Sequence, residues 1–471
     1  MAINFAMMIV VARLLTPEEF GVAVLGNALW GMCALLSELG QANFIIQRPD
    51  LTGEHKHTAF TLTLIATFLV GGGLAAAAHP IAEFYRLPGL EPFLYVSVAA
   101  LLMHVVITPA LAILRRNMAF APIAAITIVS ACANALATIV LALNGFSYMS
   151  IAWATLISTT LAIGLCFAFA PGNFNVGFSV KDWRQVAHFG VLDMSKNLLY
   201  YVSDTVPYLI FGRLLSADAV GIYQRAVTIS RLPERFLLSG TVPVLLPAFS
   251  RHVREGSDLQ SCFLKGVEYV TGVLWPALLL VVILAHHIVW LLLGDQWLSA
   301  APYVQIIAGS FLFMFQMCLA NPILIAAGHI RDTVTIALIT VPITIATQWV
   351  ASLHGLDAVA WSMFFTVPMY VLVSIFYVKL RIPFRWIELL AAMKKSFVVA
   401  AMSAAGPLAM SLAGELHPHE WHGAAIAGIL ALLGWVAGLW VTDHLLHNEM
   451  ARVRNALTNA VTVLRERVLG A

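Results

Sequence analysis

Apolar residues occur along the chain in blocks of about 20, and short polar or turn-forming clusters separate the blocks. A helix needs about 20 apolar residues to cross the roughly 30 Å hydrocarbon layer of a bilayer. The pattern therefore predicts fourteen membrane spans: 1–14, 20–40, 58–78, 92–113, 121–143, 148–170, 188–212, 219–243, 266–287, 302–326, 332–353, 356–378, 396–414 and 422–442. Only a short apolar stretch, about 18 Å of helix, precedes Arg13, so we expect Met1 to fall within the first helix.

Composition agrees with this prediction. Hydrophobic residues make up 61% of the chain and charged residues only 11%, whereas a soluble domain is about 25% charged. These values exclude a soluble globular protein, a secreted disulfide scaffold and a disordered chain. The net charge of +2 gives no sign of a nucleic-acid partner. The five cysteines lie in or beside apolar runs without a CxxC pair, so we expect no metal site and no bound cofactor.

Basic residues predict the orientation of the chain. Of the 26 Lys and Arg residues, 19 fall in connections after even-numbered spans or in the tail, and three in connections after odd-numbered spans. The positive-inside rule then places both termini in the cytoplasm. The longest connection, residues 171–187, is too short for a catalytic domain, so we expect no enzyme. Residues 443–471 carry apolar positions at three- and four-residue spacing, which favours an amphipathic helix on the cytoplasmic leaflet over a partner-binding helix.

The sequence contains an internal repeat. Residues 13–22 read RLLTPEEFGV, and residues 213–222 read RLLSADAVGI. Six predicted spans separate the copies, and an even number keeps both in the same orientation. We therefore predict an all-α polytopic membrane protein of about 14 helices, with two parallel six-helix lobes related by a pseudo-twofold axis along the membrane normal and two extra helices. The predicted limits are 1–170 for the N-lobe, 171–187 for a cytoplasmic inter-lobe loop, 188–380 for the C-lobe, 381–442 for the last two spans and 443–471 for the tail.

Several short motifs resemble one known group of membrane proteins. They are the Arg13–Gly21 stretch, Gly221–Ala226 leading to Leu232-Pro233, Pro247–Arg251, and Leu292–Trp297 followed by Ala300-Ala301-Pro302. In these motifs the chain resembles the oligosaccharide flippases of the multidrug/oligosaccharidyl-lipid/polysaccharide exporter superfamily. The resemblance implies alternating-access transport of a polyprenyl-diphosphate-linked oligosaccharide from the cytoplasmic to the outer leaflet of a bacterial inner membrane. It also implies a role in exopolysaccharide, capsule or O-antigen synthesis, with polysaccharide polymerase machinery as a partner.

Charged residues fall inside the predicted seventh and eighth spans, where each costs about 2.5–3.5 kcal/mol on insertion scales. The candidate substrate-binding residues, which would receive a lipid diphosphate, are four cations: Lys196, Arg225, Arg231 and Arg235. The candidates for ion coupling or structural ion pairs are four acids: Asp193, Asp204, Glu234 and Glu38. H+ and Na+ are both candidate coupling ions. The competing interpretation is that these charges only neutralise one another and hold span 7 against span 8.

Two finer predictions concern the same spans. Depth along the helices predicts an ion pair between Asp204 and Arg225 on the outer side, and Pro233 and Pro243 predict a broken or hinged eighth span. Two alternatives to the oligosaccharide flippase stay open. One is a peptidoglycan-precursor flippase, and the other is an ion-coupled drug antiporter of the same superfamily. The antiporter is disfavoured because a cationic drug would need an excess of buried carboxylates, whereas spans 7 and 8 hold four cations and three acids.

Overall fold

The computed structural model describes residues 2–38, 41–48, 50–169, 177–181, 183–238, 242–255, 258–315, 318–417 and 419–447. These residues form α-helices joined by short connections, and the described part of the chain contains no β-strand. The first ten helices are α1 Ala2–Leu14, α2 Pro17–Glu38, α3 Gln41–Gln47, α4 Gly53–Tyr85, α5 Leu90–Arg116, α6 Phe120–Leu143, α7 Met149–Phe169, α8 Trp183–Leu214, α9 Ala217–Ser230 and α10 Leu232–Leu237. The others are α11 Val242–Arg254, α12 Leu259–Ile283, α13 Ala285–Leu293, α14 Ala301–Phe311, α15 Ala320–Ala326, α16 Ile330–Ser352, α17 Leu356–Arg381, α18 Trp386–Leu412 and α19 Trp421–Val441.

Ten helices are long and apolar enough to cross a membrane: α2, α4, α5, α6, α7, α12, α16, α17, α18 and α19. Each coincides with one of the fourteen predicted spans, and the all-α membrane fold is confirmed. Of the other four predicted spans, α1 is short, α8 has 32 residues but many polar ones, and two are interrupted. The count of fourteen therefore stays a prediction. The predicted amphipathic tail lies outside the described residues from position 448 onward.

Two predicted spans are broken. The eighth, 219–243, divides at Arg231 between α9 and α10, as expected from Pro233, which occupies the first turn of α10. The tenth, 302–326, was predicted as one helix, and this was wrong because α14 ends at Phe311 and α15 begins at Ala320. The Trp275 indole donates a 2.7 Å hydrogen bond to the carbonyl of Leu312, the residue that follows the end of α14.

The predicted start of the thirteenth span also needs correction. The helix α18 begins at Trp386, ten residues before the predicted limit of 396. Glu388, Lys394 and Lys395 lower the hydropathy of its first turns, although these turns are helical. The Glu388 carboxylate accepts a 2.8 Å hydrogen bond from the Arg385 backbone N–H and thereby caps the helix.

The described residues fall into two compact units. The first draws on residues 1–224, 292–297 and 344–359, and the second on residues 225–291, 298–343 and 360–471. In the first unit, Phe93 of α5 is fully buried against Ala23 of α2 and Ala152 of α7. The lobe limits predicted from the repeat stay a prediction.

The connection that precedes α8 is attached to α4 within the first unit. The Ser179 N–H donates to Thr61 Oγ1 at 3.2 Å, and Thr58 Oγ1 donates to the Lys181 carbonyl at 2.7 Å. Lys181 also forms an ion pair with Glu54, with 2.6 Å between Nζ and Oε2. The described end of the predicted inter-lobe loop is thus fixed to the N-terminal turns of α4.

In the second unit, α18 packs between α12 and α19. Gly434 and Gly438 lie one turn apart on α19, and a Cβ at Gly434 would overlap the Met402 carbonyl of α18. Such small residues let membrane helices approach closely. The Trp435 indole donates a 2.8 Å hydrogen bond to the Gly272 carbonyl of α12. The last two helices therefore pack on α12 instead of standing apart from it.

Candidate functional site

Arg231 occupies the break between α9 and α10. Its guanidinium carbon lies 5.8 Å from the centre of the Phe311 ring, at the end of α14. The Nε atom of Arg231 is buried, and it has no hydrogen-bond partner within the part of the chain that the structure describes. A guanidinium that keeps a donor available can bind a phosphate through two parallel hydrogen bonds.

The other candidate residues of span 8 lie on the same broken helix in the second unit. Arg235 is exposed and lies one turn after Arg231. Its backbone N–H donates a 3.0 Å hydrogen bond to the Arg231 carbonyl. Glu234 is partly buried, and Arg225 is buried at 4% exposure. The structure therefore brings Arg231 and Arg235 together in consecutive turns, whereas Arg225 lies inside the protein on α9.

The candidates of spans 2 and 7 belong to the first unit. Glu38 is partly buried at the end of α2, and Asp204 is exposed on α8. Asp193 and Lys196 also lie on α8, but their side chains are outside the described part of the structure. Their roles, and the ion pair between Asp204 and Arg225, stay predictions.

The two copies of the internal repeat meet in the first unit. Gly21 lies one turn into α2, and a Cβ at this position would overlap the Ala217 carbonyl. Gly221 lies one turn into α9, and a Cβ there would overlap the Pro17 carbonyl. Gly21 and Gly221 are equivalent residues of the repeat, as are Pro17 and Ala217. The contact is therefore reciprocal, as a local twofold relation between the copies requires, and we call these four residues the glycine junction.

The Leu292–Trp297 motif packs beside the glycine junction. Gln296 Nε2 donates hydrogen bonds to the carbonyls of Ala12, at 2.6 Å, and Leu15, at 3.0 Å. Trp297 is fully buried, and its indole N–H also donates to the Ala12 carbonyl at 2.6 Å. The Ala12 carbonyl lies in the last turn of α1, where carbonyls lack partners within the helix, and Leu15 follows its end. The Leu292–Trp297 motif thus has a structural role at the junction between α1 and α2.

Acidic residues of the repeat also come close together at this junction. Burial, and then the negative charge of Glu18, raise the pKa of Asp218. Glu18 and Asp218 occupy equivalent positions in the two copies of the repeat. Glu19 instead caps its own helix by accepting a 2.8 Å hydrogen bond from the Thr16 N–H.

Sequence reasoning missed two residues beside the candidates. One is Phe311, which lies 80 positions from Arg231 in the sequence, so spacing could not connect them. The other is Asn27, which is exposed midway along α2. It is the one amide in the apolar run from Phe20 to Leu36, and that isolation was a signal.

Comparison with known proteins assigns the family. The family model described as "Polysaccharide biosynthesis protein" matches residues 10–302, which is more than half of the chain. The chain belongs to this family. The matched region includes both copies of the repeat, the broken helix with Arg231 and the Leu292–Trp297 motif.

Two curated relatives from this comparison are named for polysaccharide synthesis. The succinoglycan biosynthesis transport protein ExoT of Rhizobium meliloti (strain 1021) is 22% identical over 306 residues, or 65% of this chain and 62% of ExoT. The lipopolysaccharide biosynthesis protein WzxC of Escherichia coli (strain K12) is 23% identical over 311 residues, or 65% of this chain and 62% of WzxC. The chain thus spans less than two thirds of the length of these relatives.

A solved structure shares the fold over almost the whole chain. The lipid II flippase MurJ in its inward closed conformation matches with a TM-score of 0.73 and 12% identity, over 93% of this chain and 96% of that chain. At this identity the similarity shows the fold alone. The protein is accordingly a multi-pass membrane protein with a MurJ-like helical fold.

Proposed function

We propose that the protein is a flippase that moves a polyprenyl-diphosphate-linked oligosaccharide from the cytoplasmic to the outer leaflet of a bacterial inner membrane. The saccharide would serve the synthesis of an exopolysaccharide, capsule or O-antigen, and polysaccharide polymerase machinery would use the product. The family and the names of ExoT and WzxC support this class of substrate. We infer that the chain is a transporter and not an enzyme, and that both termini are cytoplasmic.

One observation carries the proposal. Arg231 stands where a helix of the repeat is interrupted, with a buried Nε that has no hydrogen-bond partner among the described residues. An arginine held in this way inside a membrane protein is suited to an anionic ligand, because binding a phosphate would satisfy its donor. Arg235, one turn later and exposed, would extend the same cationic surface.

The other candidate residues have proposed roles in the same cycle. Lys196 and Arg225 would join Arg231 and Arg235 in binding the diphosphate. Asp193, Asp204, Glu234 and Glu38 would take part in ion pairs or in coupling to H+ or Na+. The opposing hypothesis, that these charges only stabilise the helices, makes a different prediction. It expects variants of Arg231 to lose stability and transport together.

Deletion of the gene tests the proposal. We expect a polyprenyl-linked saccharide to accumulate on the inner leaflet, where a membrane-impermeant reagent applied outside cannot reach it. Accumulation of a peptidoglycan precursor instead would identify the alternative substrate. Accumulation of no lipid-linked sugar, together with increased drug sensitivity, would identify the antiporter and refute the flippase.

A further inference from the structure

Two helices of the first unit each expose one polar side chain near the middle. On α2, Asn27 is the exposed side chain among the residues described from Phe20 to Glu38. On α8, Asp204 is the exposed side chain among those described from Asn197 to Arg213. The remaining described side chains of both stretches are buried or partly buried, so neither stretch has a continuous exposed apolar face.

The two polar side chains lie on helices that are antiparallel and in contact. Near one end of their contact, a Cβ at Gly212 of α8 would overlap the side chain of Leu25 of α2. Further along, the Tyr201 hydroxyl of α8 donates to the Ala28 carbonyl of α2 at 3.1 Å. Both polar side chains thus lie on the contacting stretches of this antiparallel helix pair.

This exposure is not that of a lipid-facing surface. A lipid-facing helix such as α19 exposes a stripe of apolar side chains, including Ile426, Ile429, Leu432, Leu433 and Val436. The α2 and α8 stretches expose no such stripe within the described residues. An amide or a carboxylate turned toward hydrocarbon would also be costly, since neither group would find a hydrogen-bond partner there. Both side chains are therefore expected to face water.

The chemistry of the pair indicates its ligand. A carboxylate accepts hydrogen bonds, and a carboxamide both donates and accepts them, which together match the hydroxyl groups of a sugar. Ca2+ takes about six to eight oxygen ligands, whereas this pair supplies only one carboxylate and one carboxamide. We propose that Asn27 and Asp204 form a subsite for the saccharide part of the substrate, separate from the cations that bind the diphosphate, and that Asp204 acts there instead of in an ion pair or in ion coupling. This inference rests on the proposed flippase function.

Thiol labelling tests the aqueous position of the subsite. Asn27→Cys and Asp204→Cys should react with a hydrophilic, membrane-impermeant maleimide in the purified protein. Ile429→Cys, which is 59% exposed in the apolar stripe of α19, should not react once the protein is reconstituted in lipid. Unreactive thiols at positions 27 and 204 under the same conditions would place both side chains away from water and overturn the inference.

Binding by the protein in nanodiscs tests the ligand. The probes are a polyprenyl diphosphate that bears a single hexose and the same polyprenyl diphosphate without sugar. Asp204→Asn and Asn27→Ala should each weaken binding of the sugar-bearing lipid by about tenfold, as expected for a lost hydrogen bond to a ligand, and leave the sugar-free lipid unaffected. Asn144→Ala, at an exposed asparagine that ends α6, is the matched control and should bind both lipids like the wild type.

The other outcomes separate the two proposals. If neither lipid binds the wild type, the proposed function fails. If both lipids lose affinity equally in the variants, the subsite is not one for sugar and the inference fails alone. It also fails if Arg225→Gln restores the binding lost in Asp204→Asn, because recovery would assign Asp204 to the ion pair with Arg225. Loss of sodium dependence in place of sugar affinity would assign the site to ion coupling and would likewise overturn it.

Discussion

At the residue scale, Arg231 combines three properties that suit it to an anionic ligand. It interrupts a helix, its guanidinium lies 5.8 Å from the Phe311 ring centre, and its Nε is buried without a hydrogen-bond partner among the described residues. Stacking on an aromatic ring holds a guanidinium in a fixed orientation without using its N–H donors. The guanidinium of Arg231 can therefore bind an anion, because no described residue accepts a hydrogen bond from its Nε.

Substitution of Arg231 and Arg235 should distinguish the contribution of the positive charge from that of the guanidinium fork. Arg231→Ala and Arg235→Ala should each lose most transport while the protein stays inserted, since a diphosphate needs the cations. The Lys variants should be milder, because they keep the charge but lose the bidentate fork. Polymer export measured beside membrane abundance checks this, with Arg385→Ala, 84% exposed on its side chain, as the control. Normal export from both Ala variants would refute the role of these cations.

A second residue, His444, is buried among polar groups just after α19. Its Nε2 lies 3.0 Å from Ser396 Oγ, and its Nδ1 accepts a 3.2 Å hydrogen bond from the Leu446 N–H. Burial, and then the positive charge of Lys395, lower the pKa of His444 to about 4. The nearest acid, Glu268, lies 4.0 Å from Nε2, and Lys395 itself donates to the Asp443 carbonyl. His444 is therefore neutral at pH 7, and α12, α18 and the end of α19 pack around it.

The depressed pKa of His444 predicts how stability depends on pH. The unfolded chain binds the proton near the ordinary histidine pKa of about 6.5, whereas the folded protein binds it only near pH 4. The contribution to stability is thus complete above about pH 6.5 and decreases as the pH falls toward 4. The melting temperature in detergent should decrease as the pH falls from about 6.5 toward 4, both in the wild type and in His354→Gln, whose histidine is exposed. The same pH dependence of the melting temperature in His444→Gln would show that His444 is not its source.

At the element scale, the glycine junction explains why the repeated motif ends in glycine. Gly21 packs against the Ala217 carbonyl and Gly221 against the Pro17 carbonyl, so neither position has room for a Cβ. Overpacking of this kind costs about 1–3 kcal/mol. Because the connections after spans 1, 7 and 9 meet here, the positive-inside rule predicts that the junction lies on the outer side.

Substitution of these glycines should open the junction. Gly21→Ala and Gly221→Ala should shift the protein toward a state with the junction parted, by about 5- to 150-fold for a cost of about 1–3 kcal/mol. The thiol of a Leu15→Cys variant, at a position fully buried here, would then react with a membrane-impermeant maleimide added outside. Gly72→Ala is the matched control, since its Cβ would meet nothing within 4 Å. Equal labelling in all three backgrounds would show that the junction tolerates a side chain.

The sequence allowed prediction of those elements whose signal is local. Ten long apolar helices, the repeat and the break at Arg231 follow from hydropathy, self-similarity and Pro233. The break between Phe311 and Ala320 did not follow, because the Trp275 hydrogen bond that supports it comes from a distant helix. The reciprocal contact at Gly21 and Gly221 also depends on tertiary packing, although the repeat had already marked both residues.

At the scale of the whole molecule, the fourteen-span topology has a direct test. A reporter active only in the cytoplasm should give signal when fused after Arg116, after Trp183 or at the C-terminus. Fusions near Pro88, Asp295 and His417 should be silent, because these connections follow odd-numbered spans. Reversed signals at any two sites would overturn the count and the orientation.

The most direct test of the account is transport by the purified protein in liposomes. The substrate is a polyprenyl diphosphate bearing a single hexose, and the readout is how quickly membrane-impermeant periodate gains access to sugars that began in the inner leaflet. We predict that the wild-type protein accelerates this access, that Arg231→Ala removes most of the acceleration, and that Arg385→Ala keeps it. A wild-type protein no faster than empty liposomes, or an Arg231→Ala variant as fast as the wild type, would contradict the account.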